Sequence, residues 1–175
     1  MQILIDSTLS LSQVTMADAP LLVKHLNHEK IFENTLMIPS PYTMNDAGWF
    51  ITFVEERKQR YGRLNDWAIR DENGQLIGGV GFQVEHGIHS HKDAIGYWLA
   101  APYWGKGIST KVVKVVTNIG FQEFGLRRIE APIFPHNIAS ARVLEKNGFE
   151  SEGILKNYHL KKNQPIDVKM YAKIN

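Results

Sequence analysis

The sequence feature that most constrains the fold is the glycine turn, APYWGKGIST, at residues 101–110. It follows an apolar, strand-like run at 94–99 and precedes a run at 111–124 with apolar residues at helical spacing. Gly105 and Gly107 allow positive φ angles and a close approach of the backbone to a ligand. Because a helix N-terminus also offers unpaired N–H groups and partial positive charge, this unit predicts a binding site for phosphate or pyrophosphate.

Two familiar phosphate-binding motifs fit the glycine turn less well. A Walker loop needs a glycine five residues before the Gly-Lys pair, and no glycine stands five residues before Gly105. The dinucleotide fingerprint needs three glycines, and the turn supplies two of them, with Glu130 on the next predicted strand as a candidate ribose ligand. Three observations disfavour a nicotinamide dinucleotide. Residues 102–104 separate the strand from the first glycine, and the upstream region reads as a meander rather than as a βαβ unit. The chain after Glu130 is also too short for the rest of a doubly wound sheet.

Length and composition restrict the number of domains, the partners and the chemistry of the chain. A chain of 175 residues is long enough for one domain, which we expect to span 1–175. The formal charge of +2 gives no argument for a nucleic-acid or membrane partner, and the lack of cysteine excludes disulfides and a cysteine nucleophile. The sequence has neither a signal-peptide pattern nor an apolar run of membrane-spanning length. These features predict a soluble, cytoplasmic protein.

The patterning predicts an α+β chain, with an antiparallel meander followed by strand–helix–strand–helix–strand in one mixed sheet. Helices are expected from Asp18, from Thr43, at 111–124 and at 137–148, and strands at 9–16, 67–70, 75–84, 94–99, 127–133, 149–155 and 166–173. The Asn73-Gly74 pair is typical of a two-residue hairpin. The glycines in the 75–84 strand suggest bends or bulges.

Three blocks of sequence carry a family resemblance. They are AIGYWL with PYWGKG at 94–107, NIASARVLEKNGF at 137–149 and, more weakly, TLMIPSPYT at 35–43. They resemble the pyrophosphate loop, the helix beside the pantetheine arm and an acceptor-side loop of the GNAT N-acetyltransferases, most closely the RimJ/RimL-like branch. The resemblance implies the GNAT fold, a central, mostly antiparallel mixed sheet flanked by helices. It also implies acetyl-CoA as donor and a primary amine as acceptor.

The sequence can be compared with the family pattern at four positions. Pro102 replaces the usual glutamine or arginine, as it does in the RimJ/RimL-like branch. Leu144 occupies the position where many members have a tyrosine that protonates the leaving thiolate. Ser140 matches the serine that the branch has three residues after the helix-capping asparagine. Ala94 stands where the branch often has a glutamate, which leaves the general base unassigned.

The resemblance implies a donor site formed by Trp98, Leu99, Trp104, Gly105, Lys106, Gly107, Ile108, Ser109, Thr110, Asn137 and Ser140. One backbone N–H near 98–100 would polarise the thioester oxygen, and the N–H groups at 104–109 would hold the pyrophosphate. Lys106 either adds charge to this site or is simply solvated. Asn137 either caps its helix or binds the pantetheine amide.

The catalytic candidates are Ser140, Glu85 and Tyr97. The Ser140 hydroxyl is expected to bond the CoA sulfur and help protonate it, whereas Glu85, Tyr97 or a water chain would take the proton of the amine. The residues expected to line the acceptor cleft are Tyr42, Trp49, Glu85 and His159. For Trp49, a place in the core with Phe50 and Phe53 is the simpler reading.

His86, His89 and His91 are spaced so that a metal site is conceivable, but no carboxylate completes it, and a solvated turn is favoured. We therefore expect no metal. The resemblance points to the α-amine of a protein N-terminus, such as that of a ribosomal protein, as acceptor. An aminoglycoside or polyamine acceptor, or a non-catalytic CoA sensor, are the alternatives. No nucleic-acid or membrane partner is expected, and the chain is expected to be a monomer or a homodimer.

Overall fold

The computed structural model describes residues 2–83 and 90–175. Within these residues eight strands form one sheet in the order β1-β2-β3-β4-β5-β6-β8-β7. The strands are β1 (Ile3–Leu4), β2 (Ser10–Ser12), β3 (Asp66–Arg70), β4 (Leu76–Phe82), β5 (Lys92–Leu99), β6 (Arg128–Ile133), β7 (Glu150–Lys161) and β8 (Gln164–Ile174). The helices are α1 (Ala19–Leu26), α2 (Glu29–Asn34), α3 (Met44–Tyr61), α4 (Ile108–Gln122) and α5 (Ile138–Lys146).

The sheet is mixed. Within the described ranges β5 and β6 are the one parallel pair, and the other neighbouring strands run antiparallel. The predicted α+β class, with a mostly antiparallel sheet flanked by helices, is therefore confirmed. A parallel pair needs a crossover, and α4 supplies it between β5 and β6.

Two apolar layers cover the two faces of the sheet. Because side chains alternate along a strand, Ile95 and Leu99 of β5 pack into the layer that contains α4 and α5. Trp98, on the opposite face, packs against the layer formed with α1 and α3. This alternation gives β5 a helix on each side, and its C-terminal end leads directly into the glycine turn.

The predicted element bounds needed several corrections. The pattern did not predict β1 or the six-residue α2, whose one buried side chain, Ile31, gives no periodic signal. The strand expected at 9–16 is only three residues long, and β7 runs six residues beyond the expected end at 155. β7 is mostly exposed, so its length was not marked by buried positions.

The turn between β3 and β4 also differs from the prediction. Asp71 N–H donates to the Gln75 carbonyl at 3.1 Å, so three residues, not two, form the loop. Gly74 has φ +73°, as expected for the last residue of a three-residue hairpin loop. The glycines of β4 leave room for a neighbouring side chain, since a Cβ on Gly79 would lie 2.5 Å from the Trp98 indole nitrogen. The register shift of the β3–β4 pair places one extra residue in β4: Ile69 faces Gly78 and Arg70 faces Leu76, so Ile77, next to Gly78, has no partner of its own.

Thr43 caps α3, as predicted. Its hydroxyl accepts from Asp46 N–H at 3.3 Å, and the Asp46 carboxylate accepts from Thr43 N–H at 2.7 Å. Thr43→Ala is expected to lower the free energy of unfolding by about 1 kcal/mol in urea denaturation. The matched control is Thr52→Ala on the exposed surface of the same helix, where alanine should stabilise by a few tenths of a kcal/mol. Equal effects of the two substitutions would contradict the capping role.

No helix in the described part of the chain is both long and apolar enough to cross a lipid bilayer.

Candidate active site

The site is built around a divergence of β5 and β6. The two strands pair only where Lys92–Ala94 face Arg128–Glu130. Beyond that point β5 stays paired with β4 as far as Leu99, and β6 stays paired with β8 as far as Ile133. A V-shaped opening, here called the β5–β6 cleft, therefore lies between the C-terminal halves of the two strands.

The β5 backbone presents hydrogen-bonding groups to this cleft. Ala94 accepts from Gln83 N–H at 2.9 Å, and Ala100 N–H donates to the Ile77 carbonyl at 2.8 Å. In an antiparallel ladder alternate residues bond the same neighbour, so the residues between these two points alternate between β4 and the cleft. Beyond the stretch paired with β6, the residues whose N–H and C=O groups face the cleft are Tyr97 and Leu99.

This geometry narrows the expectation about the thioester oxygen to one residue. Among the three residues at 98–100, the Ala100 N–H is already bonded to the Ile77 carbonyl. Trp98 faces Gly79 across the ladder, so its N–H points to β4. Leu99 is the residue of the three whose N–H points into the cleft.

The glycine turn has the backbone form that its sequence predicts. Gly105 and Gly107 both have φ +74°, and Gly107 is the N-cap residue of α4. A Cβ on either glycine would meet no atom within 4 Å, so positive φ rather than crowding requires glycine there. The first helical bond comes from Lys111 N–H to the Gly107 carbonyl, which leaves the preceding N–H groups of the first turn available to an anion.

Side chains anchor the glycine turn to its surroundings. The Trp104 indole N–H donates to the Leu99 carbonyl at 2.6 Å, and the Tyr103 hydroxyl donates to Asp71 at 3.3 Å. The Lys106 ammonium lies 5.4 Å from the centre of the Tyr103 ring. The Trp104 backbone N–H, expected to bind pyrophosphate, instead donates to the Ala101 carbonyl at 3.2 Å.

Two predicted catalytic side chains meet at the edge of the cleft. The Tyr97 and Ser140 hydroxyl oxygens are 2.7 Å apart, although the residues come from β5 and the first turn of α5. Burial raises the pKa of Tyr97 to about 12, against the opposing effect of the hydrogen bond with Ser140. The phenol therefore stays protonated at neutral pH and is available as a hydrogen-bond donor.

Asn137 positions Ser140. Its side-chain Oδ1 accepts from the Ser140 backbone N–H at 3.1 Å, which is the N-cap geometry for α5. The capping role uses the oxygen of the amide and leaves its Nδ2 donor for a ligand. The two roles considered for Asn137 are thus compatible, since they use different atoms.

Comparisons with known proteins decide the family. A family model described as the acetyltransferase (GNAT) domain matches residues 8–150. The chain belongs to the GNAT acetyltransferase family. It is 30% identical over 175 residues to the uncharacterized N-acetyltransferase YoaA of Bacillus subtilis, covering 97% of this chain and 95% of that one. It is 31% identical over 100 residues to the ribosomal-protein-serine acetyltransferase of Escherichia coli, covering 57% and 55%.

A solved structure shares the fold. RimL, a ribosomal L7/L12 alpha-N-protein acetyltransferase in complex with coenzyme A, superimposes with a TM-score of 0.86 at 22% identity, covering 99% of this chain and 98% of that one. The GNAT fold expected from the sequence is confirmed. As a GNAT member the chain is an acetyl-CoA-dependent acetyltransferase.

The structure shows the environment of each residue that departs from the family pattern. Leu144 is fully buried in the core, so its position holds an apolar side chain and offers no acid. Ala94 is buried as well and pairs with Glu130 at the point where the cleft begins. Pro102 lies in the short 3-10 turn that follows β5.

The residues predicted to line the acceptor cleft have different environments in the structure. Tyr42 is buried at 5% exposure among the apolar side chains of α1 and α3, and burial raises its pKa to about 12. Trp49 is 66% exposed and stacks on Phe53, so it is not a core residue. His159 lies in β7, with its ring against Tyr158. Glu85 lies outside the described residues.

The GNAT chain also has an open cavity of about 410 Å³ that sequence reasoning did not find. Its lining residues are Phe32, Glu33, His136 and Lys161. They come from α2, the segment before α5 and the end of β7, which are distant in the sequence. Among these four residues, His136 alone could be placed from the sequence, because it precedes the predicted N-cap residue Asn137.

In the described ranges no group of three or more histidine, aspartate or glutamate side chains is arranged to hold a metal ion. Of the three histidines considered as ligands, His91 is described, whereas His86 and His89 lie outside the described residues.

Proposed function

We propose that residues 1–175 form a single N-acetyltransferase domain that acetylates the α-amine of a protein N-terminus. The observation that carries the catalytic part is the hydrogen-bonded pair of Ser140 and Tyr97 at the edge of the β5–β6 cleft. The names of two relatives, a ribosomal-protein-serine acetyltransferase and an alpha-N-protein acetyltransferase, support the acceptor class.

The donor fits the residues present. The N–H groups of the first turn of α4 would hold the pyrophosphate, with Gly105 and Gly107 leaving open space in front of them. Exposed Lys106 would add positive charge beside it. The cleft-facing groups of β5 and the Asn137 amide would bond the pantetheine arm. When bound, acetyl-CoA supplies an acetyl group activated as a thioester.

The remaining groups of the site would stabilise the developing charge and transfer protons. The Leu99 N–H faces the cleft and would donate to the thioester oxygen as that oxygen gains negative charge. As the new C–N bond forms and the C–S bond breaks, the Ser140 hydroxyl would donate to the departing sulfur while Tyr97 donates to Ser140. The amine proton would leave to water or to Glu85, which stays a prediction.

A thiol-release assay tests the proposed function. The chain contains no cysteine, so free CoA can be measured with a thiol reagent without a background from the protein. The acceptors are peptides with free N-terminal serine or alanine, the same peptides with acetylated N-termini, spermine and an aminoglycoside. Turnover with the free peptides alone is the expected result. Turnover with the small amines alone contradicts the acceptor class, and CoA binding without any turnover would support the sensor alternative.

A further inference from the structure

The tip of the β7–β8 hairpin is joined to α2 by one side chain. Lys161 ends β7, and Lys162 and Asn163 form the tight turn with φ angles of 49° and 60°. The Lys161 ammonium reaches the end of α2, where it donates to the carbonyls of Phe32, Glu33 (3.1 Å) and Thr35 (2.9 Å). We call this set of contacts the Lys161 clamp.

The clamp gives hydrogen-bond partners both to the carbonyls at the end of α2 and to the Lys161 ammonium. The last carbonyls of a helix lack the N–H donor that a further turn would supply, and a cation beside them is favourable. A lysine ammonium has three donors, and the three carbonyls use all of them. The rings of Phe32 and Phe134 lie 4.5 and 5.0 Å from the same nitrogen and add cation–π contacts. Lys161 is therefore committed to a cross-link rather than to binding an acceptor directly.

The helix held by the clamp is a bridge between two parts of the site. α2 has six residues, too few to form a stable helix without tertiary contacts. At its other end the ring of His28, the N-cap residue, lies edge-on to Trp104 of the glycine turn at 5.1 Å. α2 thus connects the donor-side turn to the β7–β8 hairpin, and Lys161 fixes its far end.

The open cavity lies between these elements. Lys161 lines it together with Phe32 and Glu33 of α2 and His136. His136 immediately precedes Asn137, the residue that caps the helix carrying Ser140. The clamp therefore fixes one wall of a cavity whose other wall adjoins the start of α5.

We propose that Lys161 is a positioning residue that fixes the acceptor-side wall of the active site and so sets the affinity for the acceptor. The cavity beside the clamp receives the acceptor, and the Lys161 ammonium bonds carbonyls of α2 and its C-cap rather than the glycine turn or the Ser140–Tyr97 pair. This inference rests on the proposed acetylation of a protein N-terminus.

The test compares Lys161→Met with Lys162→Met. The neighbouring Lys162 also lies near the Phe32 ring, at 4.8 Å, but makes no hydrogen bond within residues 2–83 and 90–175, so it is a matched control. With a hexapeptide bearing a free N-terminal serine, Lys161→Met should raise the acceptor KM about five- to tenfold. kcat and the acetyl-CoA KM should stay within about twofold, and Lys162→Met should behave as the wild type.

Lys161→Arg separates a clamp from a simple charge effect. A planar guanidinium cannot direct its donors at three carbonyls as an ammonium does, so arginine should recover only part of the acceptor affinity. Full recovery by arginine would overturn the clamp, because it would mean that charge alone suffices. An unchanged acceptor KM in Lys161→Met would overturn it as well.

Amide hydrogen exchange tests the clamp in a way that does not depend on the proposed acceptor class. In the free protein, Lys161→Met should speed amide exchange in α2 but not in α5, whereas Lys162→Met should change neither. If the wild type does not acetylate the peptide, the proposed acceptor class fails, and unchanged exchange in α2 would also reject the clamp. Peptide turnover with unchanged exchange rejects the clamp alone.

Discussion

Replacing Ser140 with alanine is expected to lower kcat about 10²-fold, the lower end of the range for a positioned acid. The loss follows from the geometry, because the Ser140 hydroxyl is the group that Tyr97 supports at 2.7 Å beside the cleft. Alanine keeps the backbone N–H that Asn137 accepts, so the N-cap of α5 is preserved. The dissociation constant for CoA, measured by calorimetry, should therefore change less than about threefold. A similar loss in binding and in turnover would contradict a role in proton transfer.

Tyr97→Phe is the matched variant for the same pair. Ser140 keeps its own proton in this variant, so kcat should fall less than in Ser140→Ala, by about tenfold or less. The pKa of Tyr97 is raised to about 12, and the phenol must be protonated to donate. Its contribution is thus fully present below that value and is lost only as pH rises through it. The pH profiles of kcat for wild type and Tyr97→Phe should have the same shape between pH 6 and 10; an alkaline loss near pH 10 present in the wild type alone would contradict this assignment.

The donor side of the site could be predicted because local rules determine it. Positive φ at Gly105 and Gly107, the N-cap at Asn137 and the place of Ser140 in the first turn each depend on a few neighbouring residues. The mixed sheet likewise followed from strand and helix periodicity along the chain.

The rest of the site depends on contacts between distant residues, and no local sequence pattern reports them. The Tyr97 and Ser140 hydroxyls meet across 43 positions, and Lys161 reaches carbonyls of α2 from the far end of the chain. A lysine in an exposed hairpin is usually solvated, so sequence alone favours the wrong environment for it. Tyr42 illustrates the opposite error, because an aromatic residue in a proline-rich loop was expected in the cleft and is buried in the core.

Gly107→Ala is expected to weaken acetyl-CoA binding about 10- to 100-fold. Gly107 has φ +74°, and an L-residue there is strained by roughly 1–2 kcal/mol, which the backbone relieves by turning away from this angle. That rotation would misalign the first-turn N–H groups of α4, and losing one hydrogen bond to a charged phosphate costs about 1.5–3 kcal/mol. Calorimetric titration with acetyl-CoA measures the effect directly.

Gly125→Ala separates this binding effect from the strain itself. Gly125 follows the opposite end of α4, has φ +68° and, like Gly107, would place a Cβ within 4 Å of no atom. The two substitutions should therefore lower the free energy of unfolding by similar amounts, since both place a Cβ at a positive φ angle in open space. Only Gly107→Ala should change the dissociation constant, because only Gly107 lies at the end of the helix that faces the pyrophosphate. Equal losses of affinity in both variants would mean that general destabilisation, and not the orientation of the first-turn N–H groups, controls donor binding.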